Sequence, residues 1–140
     1  MMYELYVLAT LVSNNQVLLL LRSPHKKFGA NMYCLPGGKV ENDERALQAI
    51  KREVKEEIGL DLPEDAFTFV HAFHRLGTEG PLIALCFKAD ITHMEPKNME
   101  PELHSAMGFF SLDALPENLL PAHRQLLLDK SAYSEHGWSS

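Results

Sequence analysis

The chain has 140 residues, of which 46% are hydrophobic and 23% charged, with a formal net charge of −6. That length suits one domain, residues 1–140, able to bury roughly two-thirds of its unfolded surface without covalent staples. The acidic balance argues against stable nucleic-acid binding, which rests on phosphate neutralisation by Lys and Arg, but not against a nucleotide whose charge a cation already compensates.

At the start of the chain, MMYELYVLAT lacks the basic opening and small-residue cleavage site of a signal peptide. The apolar runs at residues 7–12 and 17–21 are too short to span a bilayer. No membrane contact is therefore expected. Residues 5–12 and 16–22 read as two strands joined by a tight turn at Ser13-Asn14-Asn15. Residues 23–32 form a loop holding Pro24, Gly29 and the basic cluster His25-Lys26-Lys27. Tyr33-Cys34-Leu35 then leads into Pro36-Gly37-Gly38, where glycine permits sharp backbone geometry. Cys34 and Cys86 give neither a metal spacing nor a disulfide framework, which suits a reduced, cytoplasmic setting.

A helix is predicted from Asn42 or Asp43, either of which can cap it, to Gly59, which suits the left-handed residue at its end. Leu47, Ile50, Val54 and Ile58 form its apolar face, and Glu57 falls beside that face while Lys51, Arg52 and Lys55 lie away from it. Residues 67–73 and 82–89 read as further strands, linked through residues 77–81. Residues 92–105, with Pro96 and Pro101, form a loop, and residues 107–111 a short strand. Pro121 opens a last helix running to about Lys130. Residues 1–4 and 134–140 are expected to be flexible ends.

Chemistry concentrates on the first helix. Glu53, Glu56 and Glu57 stand at i, i+3 and i+4 and share one face. Such like charges repel by roughly 0.2–0.5 kcal/mol per exposed pair, a sign that a bound cation reverses. Hard oxygen ligands on a rigid element suit Mg²⁺, with Mn²⁺ able to substitute. A carboxylate as close to the core as Glu57 is costly unless it is paired or metal-bound.

The surrounding residues extend this pattern. Five residues lead from Gly38 to Glu44, seven more to Arg52, and Glu53-Val54-Lys55-Glu56-Glu57-Ile58-Gly59-Leu60 follows. Every specified position matches the Nudix box, G-x5-E-x7-R-E-U-x-E-E-x-G-U, where U is a bulky aliphatic. The chain thus resembles the Nudix hydrolase family. The resemblance implies an α/β/α sandwich with a mixed β-sheet, the acidic helix on one face and the C-terminal helix on the other. It also implies metal-dependent hydrolysis of a nucleoside diphosphate linked to another group. Carried onto this chain, it makes the Gly38 carbonyl, Glu53, Glu56 and Glu57 metal ligands. Arg52 becomes the brace of a ligand carboxylate, and Glu44 an organiser of the loop and helix start. Glu53 and a later loop glutamate are both candidates for the general base.

Glu95-Pro96-Lys97-Asn98-Met99-Glu100-Pro101-Glu102 is similar to a segment of family members that cleave nucleoside triphosphates, the MutT-type enzymes among them. The resemblance makes Glu100 a further metal ligand or water-orienting group. Those relatives commonly have a tryptophan just after it, where this chain has Ala106-Met107-Gly108-Phe109. Residues 115–121, LPENLLP, resemble a base-reading loop, which makes Asn118 the candidate base contact, since an amide donates and accepts together. Arg22 and Lys39 are candidate phosphate contacts.

The expectation is a pyrophosphohydrolase that turns a (deoxy)nucleoside triphosphate into monophosphate and pyrophosphate, in a nucleotide-pool sanitation role, as a monomer or homodimer. The alternatives are an ADP-ribose, nucleotide-sugar or RNA-cap pyrophosphatase, and a non-catalytic nucleotide-binding module. Such modules usually lose box carboxylates, and this chain keeps them all.

Overall fold

The structure, a computed structural model, describes residues 2–77 and 80–137. In chain order it contains β1 (Glu4–Ser13), β2 (Gln16–Arg22), β3 (Tyr33–Cys34), β4 (Gly37–Lys39) and α1 (Ala46–Ile58). There follow β5 (Thr68–Arg75), β6 (Leu82–Asp90), β7 (His104–Ser111), α2 (Pro121–Leu128) and β8 (Tyr133–His136). The strands form one sheet in the order β3-β2-β1-β6-β5-β8, with β4 also paired to β1 and β7 to β2. The sheet is mixed: β1–β6 and β5–β8 run parallel, whereas β1–β2, β1–β4, β2–β7 and β5–β6 run antiparallel.

Alternation along the strands explains the layers, because successive side chains of a strand point to opposite faces. Val7, Ala9 and Leu11 of β1 join Leu18 and Leu20 of β2 in the core under α1. Leu8, Val17 and Leu19 join Ala122 and Leu126 of α2 on the other face. Both faces are covered, giving the α/β/α sandwich, and central positions such as Val7, Leu11, Leu18 and Leu20 are wholly buried. On α1, Ile50, Val54 and Ile58 are also wholly buried, each worth about 1.5–3 kcal/mol in transfer from water.

Two local features place the site. Between β1 and β2, Asn14 and Asn15 take φ of 51° and 64°, the left-handed pair that a two-residue hairpin turn requires and that asparagine tolerates. β1 then leaves β2 and pairs with β4 from Leu8↔Gly37 to Tyr6↔Lys39. At Gly37 an added Cβ would lie 2.0 Å from the Val7 carbonyl oxygen, so only glycine lets β4 approach β1 so closely.

Several expectations change. The 36–38 segment continues into a strand. α1 starts at Ala46, because Asp43 sits at φ 66°, outside the helical region; the Gln48 side chain caps the start instead, accepting from Arg45 N–H at 2.8 Å. Gly59 does end α1, at φ 73°. The 77–81 link lies partly outside the described residues.

Neither chain end is loose throughout. Glu4 opens β1 opposite Leu82. Residues 134–136, expected to be part of a flexible end, belong to the strand Tyr133–His136, which runs parallel to β5 with Ala72 opposite Tyr133. Buried His71 ties it down, its ring nitrogens lying 2.9 Å from the Ser131 carbonyl oxygen and 2.8 Å from Ser134 Oγ. Residues 138–140 lie outside the described residues. No helix among the described residues is long and apolar enough to cross a membrane.

Candidate active site

α1 carries the acidic residues, and packing of its apolar face decides how each is held. Glu57, next to Ile58, is drawn into the core and is only 6% exposed. Its Oε1 accepts from Gly37 N–H at 2.7 Å. Burial, with Glu53 as the next cause, pushes its carboxyl well above the ordinary range, against the lowering effect of the Gly37 bond. Glu53 is raised too, by burial and despite Arg52. Gly38 lies so close to Glu53 that a Cβ there would come within 2.6 Å of the carboxylate. Glycine at 38 therefore leaves room for the carboxylate beside the loop backbone.

Arg52 organises the outer side of the cluster. Its Nε donates to Glu44 Oε2 at 2.8 Å and its Nη2 to Glu44 Oε1 at 3.0 Å, the two-pronged geometry a guanidinium favours. Nη1 donates to Glu53 Oε1 at 2.8 Å and Glu56 Oε1 at 2.7 Å, and Nη2 also reaches the Lys39 carbonyl at 3.2 Å. One cation thus spans three carboxylates and ties α1 to the 39–44 loop. The Arg52 hydrogen bonds lower the Glu44 carboxyl.

Glu100 approaches from the 92–103 loop. Its carboxyl is raised by burial, then by Glu56 and Glu102. Beside it stands His104, the first residue of β7, which the sequence reading overlooks. Its ring is buried, its Nε2 lies 3.7 Å from Glu57 Oε2, and its Nδ1 has no hydrogen-bond partner. Burial, then Lys26 and Arg22, push its pKa down to about 4, so the imidazole is neutral near pH 7. Ligand atoms of Glu57, Glu100 and His104 all lie within 4.8 Å of one another. Among the described residues this is a group able to hold a metal ion, and its carboxylates fit a hard divalent cation.

A cavity of about 600 Å³ opens beside this cluster, its wall including Gly37, Gly38, Glu57 and His104. That size lies in the range of small-molecule sites. Farther in, the wall holds Leu8, Phe73, Leu82 and His123. Phe28 stacks under two cations, with the Arg75 guanidinium 4.8 Å and that of Arg22 5.8 Å from the ring centre. Burial pushes His123 down to about 3, and its Nδ1 accepts from Leu35 N–H at 3.0 Å. The other ring nitrogen therefore carries the hydrogen.

The predicted contacts separate accordingly. Glu57 and Glu100 meet beside His104, while Glu53 and Glu56 are held by Arg52 and Glu53 lies against Gly38. Arg22 lines the cavity, while its Nε donates to the Phe28 carbonyl at 2.9 Å. Lys39 and Asn118 do not belong to that wall. Exposed Lys39 pairs with Glu4 across β4 and β1. Exposed Asn118 donates through Nδ2 to the Asn31 carbonyl at 2.9 Å. Arg75, His104 and His123 are among the cavity residues that sequence reasoning missed.

The NUDIX domain family model matches residues 2–130. The NAD-capped RNA hydrolase NudC of Chromobacterium violaceum is 33% identical over 120 residues, covering 81% of this chain and 42% of that protein. The CTP pyrophosphohydrolase of Escherichia coli is 32% identical over 79 residues, covering 56% of each. The crystal structure of a MutT NUDIX hydrolase from Burkholderia pseudomallei superposes with a TM-score of 0.84 at 29% identity, over 94% of this chain and 100% of that one. The chain belongs to the NUDIX domain family. It spans less than half the length of the NudC relative.

Proposed function

We propose that this protein is a metal-dependent pyrophosphohydrolase that cleaves a nucleoside triphosphate to a monophosphate and pyrophosphate. The observation that carries this reading is Glu57: a carboxyl 6% exposed, set beside Glu53, whose nearest basic group is an imidazole that burial keeps neutral. A protein keeps so unfavourable a group where a cation completes it. Glu53, Glu56, Glu57, Glu100 and the Gly38 carbonyl would hold that cation, which we take to be Mg²⁺. The chemistry it supplies is charge neutralisation of the phosphates and acidification of a water.

The chain's own residues do the rest. Arg52 fixes Glu53 and Glu56 so that they do not relax away from each other. Glu53 or Glu100 accepts the proton of the attacking water, whose oxygen bonds to phosphorus as the phosphoanhydride bond breaks and pyrophosphate departs with the electron pair. Arg22, at the cavity wall, offers a phosphate contact. Lys39 can serve the same role by leaving Glu4, and Asn118 can meet a base by leaving Asn31. Phe28, Phe73 and the fixed His123 donor make the cavity a fitting place for a heterocycle.

The likeness to the E. coli CTP pyrophosphohydrolase supports a triphosphate substrate. The likeness to NudC favours a second reading, in which the diphosphate joins a nucleoside to another group, as in ADP-ribose, a nucleotide sugar or a capped RNA end. Purified protein with Mg²⁺, offered ordinary and oxidised nucleoside triphosphates, ADP-ribose and nucleotide sugars, should release pyrophosphate from a triphosphate. Faster turnover of ADP-ribose than of every triphosphate would replace the first reading with the second.

A further inference from the structure

We infer that His104 supplies a nitrogen ligand to the divalent cation held by Glu57 and Glu100, making the buried end of the site a mixed nitrogen–oxygen centre. This rests on the proposed function above and goes beyond it, because it concerns ion selection and a residue outside the acidic motif.

Three observations carry the inference. His104 is 4% exposed, its Nδ1 makes no hydrogen bond, and the residue lines the cavity together with Glu57, so a buried imidazole stands beside the acidic group without the polar partners native interiors usually supply. Its other nitrogen, Nε2, lies 3.7 Å from Glu57 Oε2. That is too long for a hydrogen bond. On an octahedral ion with bonds of about 2.1 Å, cis ligands lie about 3 Å apart and trans ligands about 4.2 Å apart. The observed separation falls between them, so a shift of about 0.7 Å brings the two atoms to a cis pair on one ion. Glu100 completes the group within 4.8 Å.

The backbone presents Glu100 and His104 together. His104 N–H donates to the Glu100 carbonyl at 2.9 Å, closing a turn. Asn98 braces it, its Nδ2 donating to the His104 carbonyl at 2.6 Å and its Oδ1 accepting from Glu100 N–H at 3.3 Å. The loop thus delivers a carboxylate and an imidazole to buried Glu57 as one unit. A nitrogen ligand raises affinity for Co²⁺ or Ni²⁺ more than for Mg²⁺, which prefers oxygen.

The test uses the full chain, stripped by chelator and reloaded with Mn²⁺ alone. Pulsed electron paramagnetic resonance should show ¹⁴N modulation from a bound imidazole, and ¹⁵N-histidine labelling of the unmutated protein should shift its frequency. The modulation should vanish in His104→Asn and in His104→Gln, two variants that guard against a folding failure in either one. Co²⁺ affinity should fall at least about tenfold, with Mg²⁺ affinity changed much less. Mn²⁺ bound without nitrogen modulation, or modulation that persists in both variants, would overturn the inference. If triphosphate is still hydrolysed in that case, the functional reading stands without it. Failure of the protein to bind Mn²⁺ would remove both, whereas nitrogen modulation in a protein that cleaves no triphosphate would remove only the triphosphate reading.

Discussion

The acidic cluster and the cavity beside it are built in opposite ways. Arg52, Glu53, Glu56 and Glu57 come from one continuous stretch, and their spacing on α1 sets their relation before any tertiary contact forms. The cavity wall draws Leu8 from β1, Arg22 from β2, Phe73 and Arg75 from β5, Leu82 from β6 and His123 from α2. Local periodicity can specify the first arrangement, whereas only closure of the sheet brings the second together. They also titrate in opposite senses. Burial raises Glu57 from an ordinary 4.5. The unfolded chain therefore releases that proton first, and stability is lost as pH climbs from about 4.5 through the raised value. Burial lowers His123 from 6.5 to about 3. There the unfolded chain takes up the proton first, and stability is lost as pH falls below about 6.5.

Substitutions can break or sharpen that contrast. Glu57→Gln removes the buried charge but keeps the shape, and should lower kcat by about 10²-fold or more, since a bound cation supplies several kcal/mol of charge stabilisation. In metal-free protein it should leave the melting temperature near pH 8 unchanged or higher. Wild-type turnover from that variant would dismiss the acidic cluster as the reactive region. Ile50→Ala, on the buried face that positions the glutamates, should cost about 2–5 kcal/mol in urea unfolding.

Arg52→Lys keeps the charge but loses the fork that holds Glu44, Glu53 and Glu56. Activity or Mn²⁺ affinity should fall about 10–100-fold, measured by titration, and retention of both would reduce Arg52 to an ordinary ion pair. The smallest effect belongs to the cavity side. His123→Gln should flatten the loss of stability below pH 6.5, a slope of up to about 1.4 kcal/mol per pH unit. Melting curves from pH 4 to 7 read it directly, and Glu57→Gln in metal-free protein should change the slope in the opposite sense.

Much of this was legible in the residues. The strand at 16–22, the left-handed Gly59 and the core-edge position of Glu57 all follow from period and spacing, and all appear in the structure. Asn42 and Asp43 have capping chemistry, yet Asp43 sits at φ 66° and Gln48 does the capping, which nothing in the neighbouring residues reveals. The strand at 133–136 looked like a tail because its anchor, His71, lies more than sixty residues earlier and acts only through tertiary hydrogen bonds. His104 went unnoticed for a related reason: a histidine opening a strand is ordinary until Glu57 is packed against it.

By itself, then, the chain's order of residues determined the acidic helix, its apolar face and the family to which the protein belongs, because each is written in spacings of a few residues. Tertiary structure alone decided that Glu57 is shut away from water, that an imidazole stands beside it, and that two arginines flank Phe28 at the cavity. Burial and distance between remote segments set those properties, and neither is a property of neighbouring residues.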